Sequence, residues 1–70
     1  MNTNALKGKM KERAMTQADV ASSIGISLSR FNAKLNNSAE FTLGEVRAIK
    51  ELLALTSDQI DSIFFQLMVS

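Results

Sequence analysis

The 70-residue chain contains no cysteine, histidine, tyrosine, tryptophan or proline. Without cysteine it forms neither a disulfide nor a thiolate metal site. Without histidine it lacks the usual general base of enzymes and the commonest metal ligand of proteins. The acidic, lysine and hydroxyl residues that remain show no spacing suggestive of a catalytic pair. Enzyme activity is therefore the least favoured class of function, and neither a cofactor nor a metal is expected.

Long apolar runs are absent as well. No stretch approaches the roughly 18 apolar residues of a membrane span, and the first residues lack the apolar core of a signal peptide. The expected location is the cytoplasm, with no membrane partner. A chain of this length makes one small domain.

Charge is nearly balanced overall, at +1, but it is unevenly distributed. Residues 1–36 hold six basic and two acidic side chains, a net charge of +4. Residues 37–70 hold two basic and five acidic side chains, a net charge of −3. A basic half beside an acidic half is typical of a surface that meets a polyanion on one side, although solvated helix charges give the same pattern.

Signals for helix starts recur along the chain, whereas alternating strand patterns are absent. Thr16 stands three residues before Asp19, and Thr42 three residues before Glu45, which is the spacing of a capping box. Ser27 can cap the helix between them. Apolar residues at helical spacing follow each start. The pattern predicts a compact all-α domain of five helices, over residues 4–13, 17–24, 28–36, 43–53 and 58–68.

The middle of the chain has the pattern of a helix-turn-helix. Ala21 is small where two helices come close, and Gly25 falls where the chain turns sharply and positive φ is favoured. Ile26 fills the turn. Phe31 and Leu35, four residues apart, anchor the following helix on its inner side.

The run "MTQADVASSIGISLSRF" resembles the lambda-repressor-like DNA-binding domains, the group of Cro and phage repressors. The resemblance covers essentially the whole chain. It implies a five-helix domain with the helix-turn-helix in helices two and three. It also implies a transcriptional regulator of a phage or prophage that reads an operator in double-stranded DNA through helix three in the major groove.

Three positions depart from the family pattern. Lys34 stands where many members have an apolar residue, so either helix three is rotated slightly or the Lys34 stem lies across the edge of the core. Ala14 and Ala54 stand where Gly or Asn often ends a helix. A left-handed conformation at either alanine would cost on the order of 1 kcal/mol relative to glycine.

Helix three carries more polar residues than packing requires. At roughly 100° per residue, Leu28, Ser29 and Asn32 lie on one arc away from the inner side. In the resembled family, the positions that match these three and Ser27 approach bases, and the position that matches Gln17 approaches a phosphate. The expected contacts to the DNA backbone are Arg30, Lys34, Asn36 and Asn37.

Two alternatives remain open at the level of the sequence. Arg30 and Lys34 could instead pair with acids on neighbouring helices. The helix-turn-helix could also be a scaffold that binds another protein, such as a partner repressor or a toxin, as an antirepressor or antitoxin does. The low net charge and the apolar Leu28 on the reading face favour this second possibility.

The last helix predicts a homodimer. Its inward stripe comprises Ile60, Ile63, Phe64 and Leu67. Phe65 points away from that stripe, and Met68 extends the apolar surface around the helix. A second copy that covers this surface across a two-fold axis would set two recognition helices about one DNA turn apart, roughly 34 Å.

Overall fold

The computed structural model describes residues 1–65, and all regular structure in this range is helical. The first four helices are α1 (Thr3–Glu12), α2 (Gln17–Ile24), α3 (Leu28–Leu35) and α4 (Leu43–Leu52). A short α5 (Ser57–Ile60) continues into a π-helical segment (Asp61–Phe65). The predicted all-α class is confirmed, and the predicted bounds of the first four helices differ from the observed ones by at most one residue. None of the helices in residues 1–65 has the length and apolar content to cross a membrane.

The fifth predicted helix, from residue 58, is present within the described range, but it is not α-helical throughout. The backbone widens to π-helical turns directly after Ile60. In this wider helix Ile63 still lies in the core, whereas Phe64 is half-buried and Phe65 is exposed. The predicted positions of Leu67 and Met68 lie outside the described residues.

Three helices begin with a complete capping box, in which each partner accepts a backbone hydrogen bond from the other. The boxes pair Thr16 with Asp19, Thr42 with Glu45, and Thr56 with Gln59. α3 begins differently. The hydroxyl of Ser27 accepts a 3.1 Å hydrogen bond from the Arg30 N–H, but the Arg30 guanidinium has no acceptor with which to complete the box.

The first four helices end in the same way. One residue adopts positive φ, and the next N–H donates to the carbonyl five residues earlier at 2.9–3.0 Å. The left-handed residues are Ala14 (φ 54°), Gly25 (81°), Asn37 (62°) and Ala54 (53°). The prediction for Gly25 is confirmed. The two alanines do adopt the left-handed conformation, which costs each of them on the order of 1 kcal/mol relative to glycine.

The inner faces of the helices meet in one hydrophobic core. It comprises Leu6, Met10, Val20, Ala21, Phe31, Leu35, Val46, Ile49, Leu53, Leu55, Ile60 and Ile63. Phe31 and Leu35 are fully buried, so the predicted inner side of α3 is confirmed. The ring of Phe41 packs edge to face against Phe31 on one side and Phe64 on the other, with centroids 5.8 and 5.5 Å apart. This aromatic row joins α3 to the π-helical segment Asp61–Phe65, called the C-terminal segment below.

Hydrogen bonds fix both ends of α1 to distant parts of the chain. They run from the Asn2 N–H to the Ile63 carbonyl (2.6 Å), from Thr3 Oγ1 to the Leu35 carbonyl (2.7 Å), and from Arg13 Nε to the Leu53 carbonyl (3.2 Å). The last two acceptors belong to the C-terminal ends of α3 and α4, where carbonyls have no partner within their own helix. α1 therefore braces the ends of both helices.

Candidate nucleic-acid interface

α2 and α3 pack directly against each other and are joined by three residues. Val20 and Ala21 of α2 are buried, and Ile26 in the connection packs on the core at half burial. The left-handed Gly25 turns the chain between the two helices. This packing uses the inner sides of both helices and leaves the outer side of α3 open.

The outer side of α3 presents hydroxyl, amide, guanidinium and apolar groups. Ser27, Leu28, Ser29 and Arg30 are all exposed, and Asn32 is half-buried one turn further along. The helix then ends in two exposed asparagines, Asn36 and Asn37. Leu28, Ser29 and Asn32 fall within an arc of roughly 100° of the helix circumference. Base edges in the major groove carry donors, acceptors and thymine methyl groups, and these side chains complement each of them.

Lys34 does not share this side of α3. Its side chain is only 10% exposed, and its ammonium group donates to Glu45 Oε1 on α4. The same ammonium lies 5.8 Å from the ring centroid of Phe41, within range of a cation–π interaction. Of the arrangements that the sequence allowed for Lys34, two are observed. Its ammonium group pairs with an acid, and its buried stem lies at the edge of the core. This buried ion pair contradicts the expectation that Lys34 contacts the DNA backbone.

Glu45 serves two partners at once. Its carboxylate accepts from the Lys34 ammonium and, at 2.9 Å, from the Thr42 N–H of its own capping box. Burial raises the pKa of this carboxyl, but the hydrogen bonds and charge of Lys34, together with those from Thr42, outweigh burial and hold the pKa below its ordinary value. Glu45 thus remains ionised at neutral pH, and its contact with Lys34 joins α3 to the start of α4.

A second polar group lies where α1 meets the start of α2. Lys7, Lys11 and Gln17 line an open hollow of about 430 Å³, together with Met10 and Met15. Gln17 is the residue expected to approach a phosphate, and the structure adds two cations beside it. In the sequence, these lysines contribute only to the positive charge of residues 1–36. Their spacing of four residues, which puts them on one side of α1, is the signal that could have found them.

Phe65, the predicted dimer contact, is 46% exposed. It lines an open hollow of about 300 Å³ together with Met1, Phe41 and Phe64. Lys34, Asn37 and Glu40 also line the hollow, so its wall combines aromatic, amide and charged side chains. The other predicted dimer residue, Met68, lies outside the described residues.

No protein-family model, curated protein or solved structure matches this chain. In the part of the chain that the structure describes, no three acidic, His or Cys side chains come together as a possible metal site.

Proposed function

We propose that this protein is a sequence-specific regulator of transcription that binds an operator in double-stranded DNA. α2, the turn at Gly25 and α3 are its lambda-repressor-like helix-turn-helix, and α3 enters the major groove. One observation carries this proposal: α3 is fully packed on its inner side, yet its outer side exposes a continuous set of groups that complement base edges. The resemblance to phage repressors extends the proposal to a phage or prophage operator in the bacterial cytoplasm.

The proposal assigns two kinds of contact. Ser29 and Asn32 read base edges, since an asparagine amide pairs with both major-groove groups of adenine and a serine hydroxyl donates or accepts. The phosphate contacts set register and orientation without reading sequence. We assign to them Lys7, Lys11, Gln17, Arg30, Asn36 and Asn37. Lys34 makes no contact with DNA in this proposal. Its ion pair with Glu45 holds α3 against α4 and so keeps α3 in position.

The decisive experiment selects bound duplexes from a random-sequence library and then measures affinity at several salt concentrations. A consensus sequence is expected, with affinity that falls as salt rises. Asn32→Ala should lose about 1–3 kcal/mol on the selected duplex and much less on random DNA. Equal losses on both duplexes would exclude Asn32 as a reader of bases.

Two cations on α3 provide a matched pair of controls. Arg30→Ala should weaken binding to every sequence alike and lower the salt slope by about one unit. Lys34→Met, measured where circular dichroism shows it folded, should leave the salt slope unchanged because the buried ammonium meets no phosphate. A lowered salt slope for Lys34→Met would mean that Lys34 does contact a phosphate.

The protein-binding alternative predicts a different result. A scaffold that acts on a partner repressor or toxin would show no sequence preference in the selection. It would bind its protein partner with little dependence on salt. That pair of outcomes would refute the DNA-binding proposal.

We further propose that two copies bind one pseudo-palindromic operator through the C-terminal segment. A single small module makes few contacts for selective binding, and the exposed Phe65, which lines one hollow with the half-buried Phe41 and Phe64, offers a surface for a second copy. Sedimentation equilibrium at micromolar concentration should show a dimer for the wild type and a monomer for Phe65→Ser. A dimer that tolerates Phe65→Ser would exclude this contact.

A further inference from the structure

Leu28 is an apolar residue on an otherwise polar surface. It occupies the first helical position of α3 and is 45% exposed. It is neither a member of the hydrophobic core nor one of the partly buried residues packed against it. Its neighbours along the exposed surface, Ser27 and Ser29, are hydroxyl residues. Leu28 therefore lies outside the hydrophobic core and leaves nearly half of its surface to solvent.

The major groove offers one apolar feature, the C5-methyl group of thymine. Contact with it removes apolar surface of both partners from water, which is favourable. Asn32 lies one helical turn beyond Leu28, and side chains at this spacing have Cβ atoms about 5–6 Å apart. Successive bases rise about 3.4 Å along a strand. The two side chains thus reach base pairs that are adjacent or separated by one other base pair.

We propose that Leu28 reads a thymine methyl group. Each operator half-site then carries a thymine within two base pairs of the adenine bound by Asn32. This inference rests on the proposed DNA-binding function and adds a chemical identity to one position of the site. It also explains why the reading surface contains a side chain that cannot hydrogen-bond.

Deoxyuridine provides the direct test, because it keeps every hydrogen-bonding edge of thymidine and lacks only the methyl group. Each thymidine of a duplex selected from the random library is replaced in turn, and affinity is measured for the wild type and for Leu28→Ala. One replacement per half-site should weaken the wild type about fourfold, the value of one buried methyl group. Leu28→Ala should bind the thymidine and deoxyuridine duplexes equally.

Leu43→Ala is the matched control. Leu43 occupies the first position of α4, as Leu28 does in α3, and is 64% exposed. Its variant should keep the full discrimination between thymidine and deoxyuridine. Both variants should melt like the wild type, because neither leucine packs on the core.

Two results would overturn the inference while leaving the proposed function intact. In one, the wild type binds the selected duplex but no deoxyuridine replacement weakens it. In the other, Leu28→Ala keeps the discrimination. A selection that yields no sequence preference would instead refute the proposed function, and the inference with it.

Discussion

α3 and α4 begin almost alike and then diverge. A hydroxyl residue caps each helix, Ser27 in one and Thr42 in the other, and an exposed leucine follows. Three residues after the cap, α4 has Glu45 and α3 has Arg30. Glu45 completes a capping box, whereas the Arg30 cation cannot accept a hydrogen bond and lies near the positive end of the helix dipole.

The two helices also differ where they end. Both close on a left-handed residue, Asn37 after α3 and Ala54 after α4. After α4 the chain continues with Leu55, which is buried in the core, so the end of that helix is anchored by an apolar contact. After α3 it continues with Ser38, which is exposed.

The difference separates a helix that supports the fold from one that presents groups to solvent. A cation in the first turn of a helix is unfavourable by about 0.3–1 kcal/mol. Departures from local rules are expected at functional sites, where another gain offsets them. For α3 that gain, in our proposal, is a row of side chains available to DNA.

The inner sides of α3 and α4 are alike, and removing an inner residue of α3 should have the largest effect. Phe31 is fully buried, and Phe31→Ala should lower the free energy of unfolding by about 3–5 kcal/mol, enough to unfold much of so small a domain. Urea unfolding measures this loss. Ser29→Ala, on the outer side, should stay within about 0.5 kcal/mol of the wild type. A Phe31→Ala variant that unfolds like the wild type would show that the register of α3 is wrong.

Breaking the contact between the two helices comes next. Glu45→Ala leaves the Lys34 ammonium buried without its partner and should cost about 3 kcal/mol of stability. The double variant Lys34→Met/Glu45→Gln removes both charges, while the glutamine still caps α4. It should lie close to the wild type in urea unfolding. A double variant as unstable as Glu45→Ala, although its glutamine keeps the cap, would contradict the view that the unpaired charge of Lys34 causes the loss of stability.

The same pair predicts a dependence on pH. The pKa of Glu45 is lower in the folded state than in the unfolded state. Its contribution to stability is therefore fully present above the ordinary glutamate pKa of about 4.3, and it is lost as the pH falls through the folded-state pKa. The stability gap between wild type and Glu45→Gln should therefore be widest at pH 7 and narrow toward pH 3. Asp19 also has a lowered pKa, because of the hydrogen bonds from Thr16. Its effect on stability is the same in wild type and variant, so it cancels in the difference between them. A gap that stays constant from pH 7 to pH 3 would contradict this assignment.

The smallest effect is expected from making the start of α3 resemble that of α4. Arg30→Glu supplies the missing acceptor of the capping box and an anion at the helix start, and should stabilise the protein by about 0.5–1 kcal/mol. The same change should weaken DNA binding, since it replaces a cation by an anion at the interface. Arg30→Gln separates the two contributions, because it offers the acceptor without the charge. Increased stability without weaker DNA binding would exclude Arg30 from the interface.

Local chemistry explains what could be predicted. A threonine three residues before an acid, a glycine at a turn and apolar residues at helical spacing each act within a few residues of chain. They therefore gave the capping boxes at Thr16 and Thr42, the left-handed Gly25 and the inner side of α3 marked by Phe31 and Leu35.

Contacts between distant residues explain what could not be predicted. Helical spacing gives a direction relative to one helix and does not identify the neighbour found there. Lys34 turns inward because Glu45, eleven residues later and beyond a loop, offers it an acceptor. Lys7 and Gln17 line one hollow only because the fold places α1 near the start of α2. The π-helical turns after Ile60 depart from the regular helical period on which the prediction of the last helix rested.

The hydrogen bond between the Asn2 N–H and the Ile63 carbonyl has a consequence for the order of events during synthesis. A ribosome that adds 5–20 residues per second makes Ile63 roughly 3–12 s after Asn2. The partners of Thr3 and Arg13, at Leu35 and Leu53, also appear later. A ten-residue helix is marginal in water by itself. α1 is therefore made before its partners and fixed after them, so the domain completes its fold only once Ile63 has been translated.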